Sequence, residues 1–199
     1  SYRQPIYYLS KDIDQFIRKS YCGGRNEAGF IGKFGGITYY YDFTSLYPDV
    51  GRLRVPYGKP HKVNPVDLEI YNQNIGLIGF GFYRVIVKTI DRHRTPLHSE
   101  KDGKLIFAIY DTPTELTLFS EEIKYGHRLG IYEYELVEGY VFKGSSFLKE
   151  FFTDGYNKKG KAKADGLDGL AQVYKVIINS GYGFWGLNTL SKMGKGRDG

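Results

Sequence analysis

Two stretches of the chain alternate apolar and polar side chains, and they restrict the fold more than any other feature of the sequence. The period of two at 79–90 and 131–142 predicts half-buried β-strands. The β-branched and aromatic residues of 37–43 and 105–110 predict two more. Apolar residues at helical spacing predict helices over 11–19, 117–129, 146–156 and 167–185. Because strands and helices are mixed without a regular alternation, the sequence predicts an α+β fold.

Length and charge limit the classes of function. The 199 residues allow one domain or two small ones, which is enough to bury a core. The 28 lysines and arginines exceed the 22 aspartates and glutamates, and the formal charge of +6 favours a polyanionic partner such as nucleic acid. No run approaches the roughly 18 apolar residues that a membrane helix needs, so no membrane partner is predicted.

Asp42 stands at the end of the predicted strand 37–43, directly before a turn that contains Ser45 and Pro48. We expect the sheet to hold this carboxylate while its tip reaches a cleft, and the backbone amides of the turn to bind an anion. Mg²⁺ takes one or two carboxylates and leaves other positions to phosphate oxygens, so the pattern suits a magnesium–triphosphate complex. The alternative is that Asp42 only caps the turn.

A polar stripe marks the last predicted helix. Lys175, Asn179 and Tyr182 are spaced i, i+4 and i+7, which places a cation, an amide and an aromatic ring on one face. Such a face is suited to phosphates, a sugar and a base pair. The apolar residues expected to bury the opposite side are Val173, Val176, Ile177 and Phe184. The alternative is an ordinary amphipathic helix whose polar side faces water.

The sequence that begins at Asp42 resembles a known motif. Residues 42–48 match D-x-x-S-L-Y-P, motif A of the family B DNA polymerases, at all five specified positions. The resemblance implies that Asp42 binds both catalytic Mg²⁺ ions. It also implies that Ser45 and Leu46 belong to the nucleotide site and that Tyr47 lies under the incoming sugar, where it excludes a 2′-hydroxyl.

The last helix resembles a second motif of the same family. Residues 175–183 match K-x-x-x-N-S-x-Y-G, motif B, at all five specified positions and in the correct order after motif A. The resemblance implies that Lys175 neutralises triphosphate charge and that Asn179 and Tyr182 shape the pocket of the nascent base pair. Gly183 is expected at the DNA.

A third element precedes motif A by 21 residues. Tyr21, Gly23 and Gly24 resemble the Y-x-G-G element that family B enzymes carry between their exonuclease and polymerase parts. In that family the element binds single-stranded DNA and, in protein-primed members, the priming protein. The residue types suit this role because glycine lets a phosphate chain approach the backbone and tyrosine stacks on bases.

The distance between the motifs implies an insertion. Asp42 and Lys175 lie 175 − 42 = 133 residues apart, and the intervening strand-rich block resembles the terminal-protein-binding insertion of protein-primed polymerases. The implied architecture is a partial palm and fingers with a strand-rich insertion. Its parts are a linker with the Y-x-G-G loop (1–36), a palm segment with motif A (37–66), the insertion (67–142) and palm-to-fingers helices with motif B (143–199).

Three further expectations concern local structure. The stretch 55–76, rich in proline and glycine, is expected to be mostly turns. The cluster Lys158, Lys159, Lys161 and Lys163 is expected to follow the helix 146–156 as the approach to the fingers, where it offers charge to the triphosphate or template; the alternative is a solvated loop. Asp165 and Asp168 are expected to begin the last helix as a cap or as first-turn acids.

The resemblance implies a protein-primed DNA-directed DNA polymerase with template and primer DNA, dNTPs and a terminal protein as partners. A primer hydroxyl would attack the α-phosphate of a dNTP by two-metal phosphoryl transfer. The subfamily occurs in linear mitochondrial plasmids and in phages and viruses, which implies a mitochondrial location or, alternatively, a phage- or virus-infected host cell.

Missing elements lead to one more expectation. Neither the Tyr-x-Asp-Thr-Asp element that supplies the second carboxylate nor the exonuclease carboxylates are found in the sequence, so we expect an inactive fragment of an active parent. The alternative is a non-catalytic remnant that binds DNA or the priming protein. Departures from the family pattern at Asp49, Gly181 and Phe184 give this alternative its weight.

Overall fold

A computed structural model describes residues 7–24, 31–43, 45–92, 95–101 and 104–185, without the side chains of 99–101, 104 and 182–185. The chain divides into two compact units, Ser1–Ile31 with Pro56–Gly144 and Gly32–Val55 with Ser145–Gly199. The helices are α1 (Lys11–Arg18), α2 (Leu46–Gly51), α3 (Pro65–Gln73), α4 (Ser120–Arg128), α5 (Lys149–Ala164) and α6 (Asp168–Trp185), with a 3₁₀ turn at Ile75–Leu77. The strands are β1 (Val55–Lys62), β2 (Gly81–Thr89), β3 (Ser99–Lys101), β4 (Lys104–Ile106), β5 (Thr114–Phe119) and β6 (Tyr132–Ser145).

The first unit is built on a four-stranded sheet with the order β1-β6-β2-β5. The central strand β2 pairs antiparallel with both β5 and β6, and every second one of its side chains is buried, as its alternation predicts. Tyr83, Val85 and Val87 have no exposed surface and form the core with Ile123 of α4. The predicted α+β fold is confirmed, as are the strands predicted at 79–90 and 131–142.

The prediction of turns over 55–76 is wrong. The stretch forms β1, α3 and the 3₁₀ turn. A strand can carry Pro56 and Pro60 here because β1 lies at the edge of the sheet, where a missing backbone N–H leaves no inner neighbour unpaired. Pro65 suits the first turn of α3, whose preceding residue Asn64 accepts a hydrogen bond from the Asp67 amide at 2.8 Å.

Two other boundaries differ from the expectations. The predicted helix 117–129 begins only at Ser120, because Thr117 and Leu118 pair with Arg84 and Tyr83 as part of β5. The helix start is marked by Glu122, whose carboxylate accepts a hydrogen bond from the Phe119 amide at 2.9 Å. Of the strand predicted over 105–110, only Leu105 and Ile106 belong to a strand, the short β4, which pairs antiparallel with β3.

A bulge in β6 is stabilised from outside the sheet. The register between β2 and β6 shifts between Arg84 and Val85, which pair with Glu138 and Leu136. At Leu136, which is buried, the side chain of Asn72 on α3 accepts a hydrogen bond from the backbone N–H at 2.7 Å and donates one to the carbonyl at 3.0 Å. One amide side chain thus provides both bonds that a neighbouring strand would otherwise offer.

The Asn72→Ala variant is expected to lower the free energy of unfolding by about 1–3 kcal/mol, because it removes both partly buried hydrogen bonds from the backbone of Leu136. The measurement is urea denaturation of the chain followed by circular dichroism. Gln73→Ala removes the neighbouring exposed side chain of the same helix and is the matched control. Equal denaturation midpoints for the two variants would contradict this account of the bulge.

The second unit contains α2, α5 and α6, and the bounds of α5 correct two expectations. Helix α5 runs from Lys149 to Ala164, so the lysine cluster lies within a helix and not in the segment or loop that follows one. Asp165 is the C-terminal cap of α5 and does not begin the last helix, whereas Asp168 is the first residue of α6, as expected. The predicted helix over 167–185 is confirmed.

The buried side of α6 is not the one predicted. Val173, Val176 and Ile177 remain about half exposed, and the side chain of Phe184 lies outside the described residues. Ile178 is buried instead, because α5 approaches that side closely at Gly155. A Cβ added to Gly155 would come within 2.9 Å of the Ile178 side chain. The helix therefore packs through the side that borders its polar stripe.

Candidate functional site

A cavity of about 350 Å³ in the second unit brings motif A and motif B together. Its lining comes from the segment before α2, from α2 itself, from α5 and from α6. The lining residues are Asp42, Phe43, Ser45, Leu46, Tyr47, Pro48, Lys159, Lys175, Ile178 and Asn179. Six of the residues that sequence patterns nominated for catalysis or nucleotide binding thus lie around one opening.

Helix α2 is held against α5 by close packing. Pro48 is its buried residue, and a Cβ added to Gly51 would collide with the ring of Phe152 on α5. Because Phe152 itself is buried, glycine at position 51 lets the short helix lie directly on that ring. This contact fixes Leu46 and Tyr47 at the edge of the cavity.

The segment that carries Asp42 forms no strand, so the predicted strand 37–43 is wrong. The rings of Tyr39 and Tyr41 stack at 6.4 Å on one side of the chain, as alternate residues of an extended backbone do. No described strand pairs with the segment, and Tyr40 is 91% exposed. Within the described residues Asp42 is therefore placed by the start of α2 and not by a sheet.

Ser45 has an uncommon conformation. Its φ of 57° is the only positive value at a described residue other than glycine, and it places the residue in the left-handed region directly before α2. Its hydroxyl does not cap the helix; instead it accepts a hydrogen bond from the Lys159 ammonium at 2.7 Å. A serine from motif A is thereby joined to a lysine of α5.

The charges at the cavity are not neutralised internally. Within the described part of the chain, Lys159, Lys175 and Asp42 form no ion pair, whereas the neighbouring Lys158 pairs with Asp154 at 2.7 Å. Two cations and one carboxylate therefore face the same space with their charges available. Such a site is suited to an anion that also carries a cation, as a magnesium-bound phosphate chain does.

Two of the three departures from the family pattern are accommodated by neighbouring residues. The carboxylate of Asp49 forms an ion pair with Arg52 and does not line the cavity. At Gly181 an added Cβ would lie 3.2 Å from the ring of Phe151, so a larger residue would press against α5. The side chain of Phe184, the third departure, lies outside the described residues.

The carboxylate at the cavity fits part of a magnesium site. Among the described residues, Asp42 is the one carboxylate in the lining, and they contain no group of three or more histidine, cysteine, aspartate or glutamate side chains that would hold a metal by themselves. Magnesium is commonly held by one or two carboxylates together with substrate phosphates. The donor set therefore fits a metal that arrives with a phosphate ligand.

The other predicted site residues either lie outside this cavity or have contacts outside the described part of the structure. Tyr182 and Gly183 are part of helix α6, but what they contact lies outside the described part of the structure. Tyr21 and Gly23 line a different cavity, of about 660 Å³, in the first unit, together with Lys19, His98 and part of β5. An added Cβ at Gly23 or Gly24 would meet nothing within 4 Å, so packing does not explain these glycines.

Ionisable side chains near this second cavity are partly buried. The imidazole of His98, itself buried, lies 4.0 Å from the carboxylate of Glu122. Burial raises the pKa of Glu122, while its hydrogen bond from Phe119 and the nearby His98 lower it. Burial also raises the pKa of the Cys22 thiol, with a smaller contribution from Glu122. The thiol is therefore a weak nucleophile.

Sequence patterns missed the individual importance of Lys159. It was one of four clustered lysines, and the clustering alone does not separate it from Lys158, Lys161 and Lys163. Helical spacing does not single it out either, because on α5 Lys159 shares a face with Lys163, and Lys158 shares another with Lys161.

The fold is similar to that of phi29 DNA polymerase. An orthorhombic crystal form of that enzyme matches with a TM-score of 0.59 and 17% identity, over 90% of this chain and 32% of that chain. Phi29 DNA polymerase in a ternary complex with primer-template DNA and incoming nucleotide substrates matches with a TM-score of 0.57 and 17% identity, over 88% and 31% of the two chains. This likeness defines the class of fold.

The family profile of DNA polymerase type B, organellar and viral, matches residues 1–193, and the chain belongs to this family. A probable DNA polymerase of Neurospora intermedia is 32% identical over 186 residues, which cover 90% of this chain and 19% of the relative. The chain thus spans about a fifth of that relative's length. Among the helices of the described residues, none has the length and apolar character required to cross a bilayer.

Proposed function

We propose that this chain carries the nucleotide-binding part of a DNA-directed DNA polymerase active site. The observation that carries the proposal is the cavity of the second unit, where Asp42 shares one opening with Lys159 and Lys175. Two cations without ion pairs among the described residues suit the phosphates of a dNTP, and the carboxylate suits the magnesium that accompanies them. Membership of the type B polymerase family supports the same conclusion.

The proposed reaction is attack of a primer hydroxyl on the α-phosphate of the dNTP, with pyrophosphate as the leaving group. Lys175 and Lys159 bind phosphate oxygens from two helices and neutralise the charge that develops on the leaving group. Asp42 would hold magnesium, which when bound stabilises the charge of the phosphoryl group under attack. Because a two-metal site needs a second carboxylate, we propose that the full-length protein supplies it from outside the described residues.

Selection of the substrate is assigned to motif A and the polar stripe of α6. Ser45, Leu46 and Tyr47 line the cavity together, and we propose that the Tyr47 ring lies under the deoxyribose. Asn179 stands one helical turn after Lys175 on the same face, which places an amide beyond the phosphate-binding cation. In the proposal Asn179 and Tyr182 shape the pocket of the nascent base pair.

Template and primer DNA are proposed to contact Tyr21, Gly23, Gly24 and Gly183. Tyr21 is 60% exposed beside Lys19, so its ring is available for stacking and the lysine for phosphate. The open space at Gly23 and Gly24 is compatible with close approach of a nucleic-acid backbone. The phi29 ternary complex with primer-template DNA has the same class of fold.

We further propose that the parent enzyme is protein-primed and that residues 67–142 hold the terminal protein. The support is the strand-rich character of this region, which contains β2, β5 and most of β6 between the two polymerase motifs. The parts 1–36, 37–66 and 143–199 keep their proposed roles as linker, palm segment and fingers helices. A mitochondrial location, or a phage or viral origin, agrees with the organellar and viral family and with the Neurospora relative.

The Lys175→Ala variant of the full-length protein is expected to raise the KM for dNTP by about 10–100-fold. The loss of a hydrogen bond between charged groups is worth about 1.5–3 kcal/mol, and about 1.4 kcal/mol corresponds to a factor of ten. The measurement is single-nucleotide insertion at varied dNTP. Lys149→Ala, which removes an exposed lysine of α5 outside the cavity lining, is the control. If both variants have the same KM as the parent, the proposed function of the cavity is wrong.

A further inference from the structure

The ring of Tyr156 on α5 lies under two cations of the second unit. The Lys159 ammonium is 4.8 Å from the ring centroid, and the Arg52 guanidinium carbon is 5.9 Å from it. Both distances are within the range in which an aromatic quadrupole attracts a cation. Tyr156 itself does not line the cavity, so it acts on that space only through its neighbours.

The two cations differ in what else they contact. Arg52 forms an ion pair with Asp49, so its charge is largely compensated beside the ring. Lys159 has the Ser45 hydroxyl and the Tyr156 ring as its contacts and forms no ion pair within the described part of the chain. The ring therefore holds the ammonium of Lys159 while leaving its full charge available.

A carboxylate in place of this ring would compensate the positive charge of Lys159. Lys158, one residue earlier, shows it: its ammonium lies 2.7 Å from Asp154, so a carboxylate of its own helix already compensates the charge. An aromatic face attracts a cation without adding a negative charge to it, and it restricts the four-carbon side chain that would otherwise lose its freedom only when phosphate binds.

We infer that Tyr156 is a positioning residue, which holds Lys159 toward the cavity in a conformation ready for a triphosphate. The inference rests on the proposed function, because it assigns phosphate oxygens as the ligand of Lys159. In the absence of nucleotide the ammonium donates to Ser45 Oγ; a phosphate oxygen replaces this hydroxyl as acceptor while the contact with the ring persists. Arg52, anchored by Asp49, keeps the ring in place.

The test compares Tyr156→Leu with Tyr156→Phe in the full-length protein, with KM and kcat for dNTP insertion determined separately. Phenylalanine keeps the ring, so its KM is expected to stay within about twofold of the parent. Leucine removes the ring, and its KM is expected to rise about tenfold, which corresponds to the rotamer freedom that an unrestrained lysine side chain loses when phosphate binds. We expect kcat to change less than KM, because the ring acts on binding and not on the reacting atoms.

Tyr156→Leu is also tested in protein that already carries Lys159→Ala, which distinguishes positioning of the lysine from a general loss of structure. In Lys159→Ala protein, Tyr156→Leu is expected to raise KM by less than about twofold, since the group that the ring positions is already gone. An undiminished tenfold effect in that background would overturn the inference, and so would a loss with phenylalanine as large as with leucine. If Tyr156→Leu does not fold, Tyr156→Gln, which also lacks an aromatic face, replaces it.

Failure of this inference and failure of the proposed function give different results. If Lys175→Ala and Lys159→Ala both raise KM but Tyr156→Leu does not, the cavity binds nucleotide and only the positioning role is wrong. If neither lysine variant changes KM, the proposed nucleotide site is wrong and the inference falls with it. The expected pattern is a rise in KM for both lysine variants and for Tyr156→Leu.

Discussion

Replacement of Asp42 by asparagine is expected to reduce nucleotide addition by the full-length protein at least about a thousandfold. The carboxylate is the one acidic group in the lining of the cavity shared by motifs A and B, so no described neighbour takes over its role. A metal at a phosphoryl centre contributes several kcal/mol of charge stabilisation, and each 1.4 kcal/mol is about a factor of ten in rate. The measurement is primer extension with saturating dNTP and Mg²⁺.

The control for Asp42→Asn is Glu150→Gln, which removes an exposed carboxylate of α5 outside the cavity lining. Asparagine is nearly the same size as aspartate and Asp42 is exposed, so the thermal unfolding curve of the variant should match that of the parent. Primer binding should also persist, because the change does not touch the residues proposed to contact DNA. Extension by Asp42→Asn at a rate near that of the parent would show that the metal assignment is wrong.

Residue spacing alone was sufficient to predict which residues α6 contributes to the cavity. The i, i+4 relation of Lys175 and Asn179 predicts a shared face, and both residues line the cavity. The contribution of α5 was not accessible in this way. The hydrogen bond between Lys159 and Ser45 joins residues 114 positions apart, and only the packing of α2 on Phe152 of α5 brings them together.

The wrong predictions have a common physical origin, since each concerned a segment whose state depends on its neighbours. The tyrosines at 39–41 favour an extended backbone, but a strand also needs a partner for its hydrogen bonds, and no described strand supplies one. The prolines of β1 oppose a strand in the middle of a sheet and are tolerated at its edge. Neither the partner nor the edge position can be deduced from the segment itself.

Gly181 shows how a departure from a family pattern can be a packing adaptation. Glycine within a helix costs about 1 kcal/mol relative to alanine, which on its own suggests a weakened motif. A Cβ added at position 181 would lie 3.2 Å from the ring of Phe151 on α5, so the ring would have to shift by a few tenths of an ångström. Glycine at this position therefore agrees with the close packing of α6 on α5, and the departure has a structural reason that is independent of the proposed nucleotide site.

Replacement of Tyr47 by valine is expected to raise ribonucleotide insertion relative to deoxyribonucleotide insertion by about 100-fold. Tyr47 lines the cavity beside Ser45 and Leu46, where the proposed function places it under the sugar. A pocket discriminates by about 10–200-fold between two substrates that differ by one small group, which here is the 2′-hydroxyl. Because the side chain is 49% exposed, its replacement leaves the core of the second unit intact. The measurement is kcat/KM for one rNTP and its matching dNTP on the same primer-template.

Two features of the result separate a sugar gate from a general defect. A gate predicts that kcat/KM for the dNTP changes little while kcat/KM for the rNTP rises, since the ring excludes a hydroxyl that only the ribonucleotide carries. The control is Tyr8→Val, an exposed tyrosine of the first unit, which should leave the ratio unchanged. If Tyr47→Val lowers both values equally, the ring contributes to binding of every nucleotide, and exclusion of ribose must depend on another residue of the cavity.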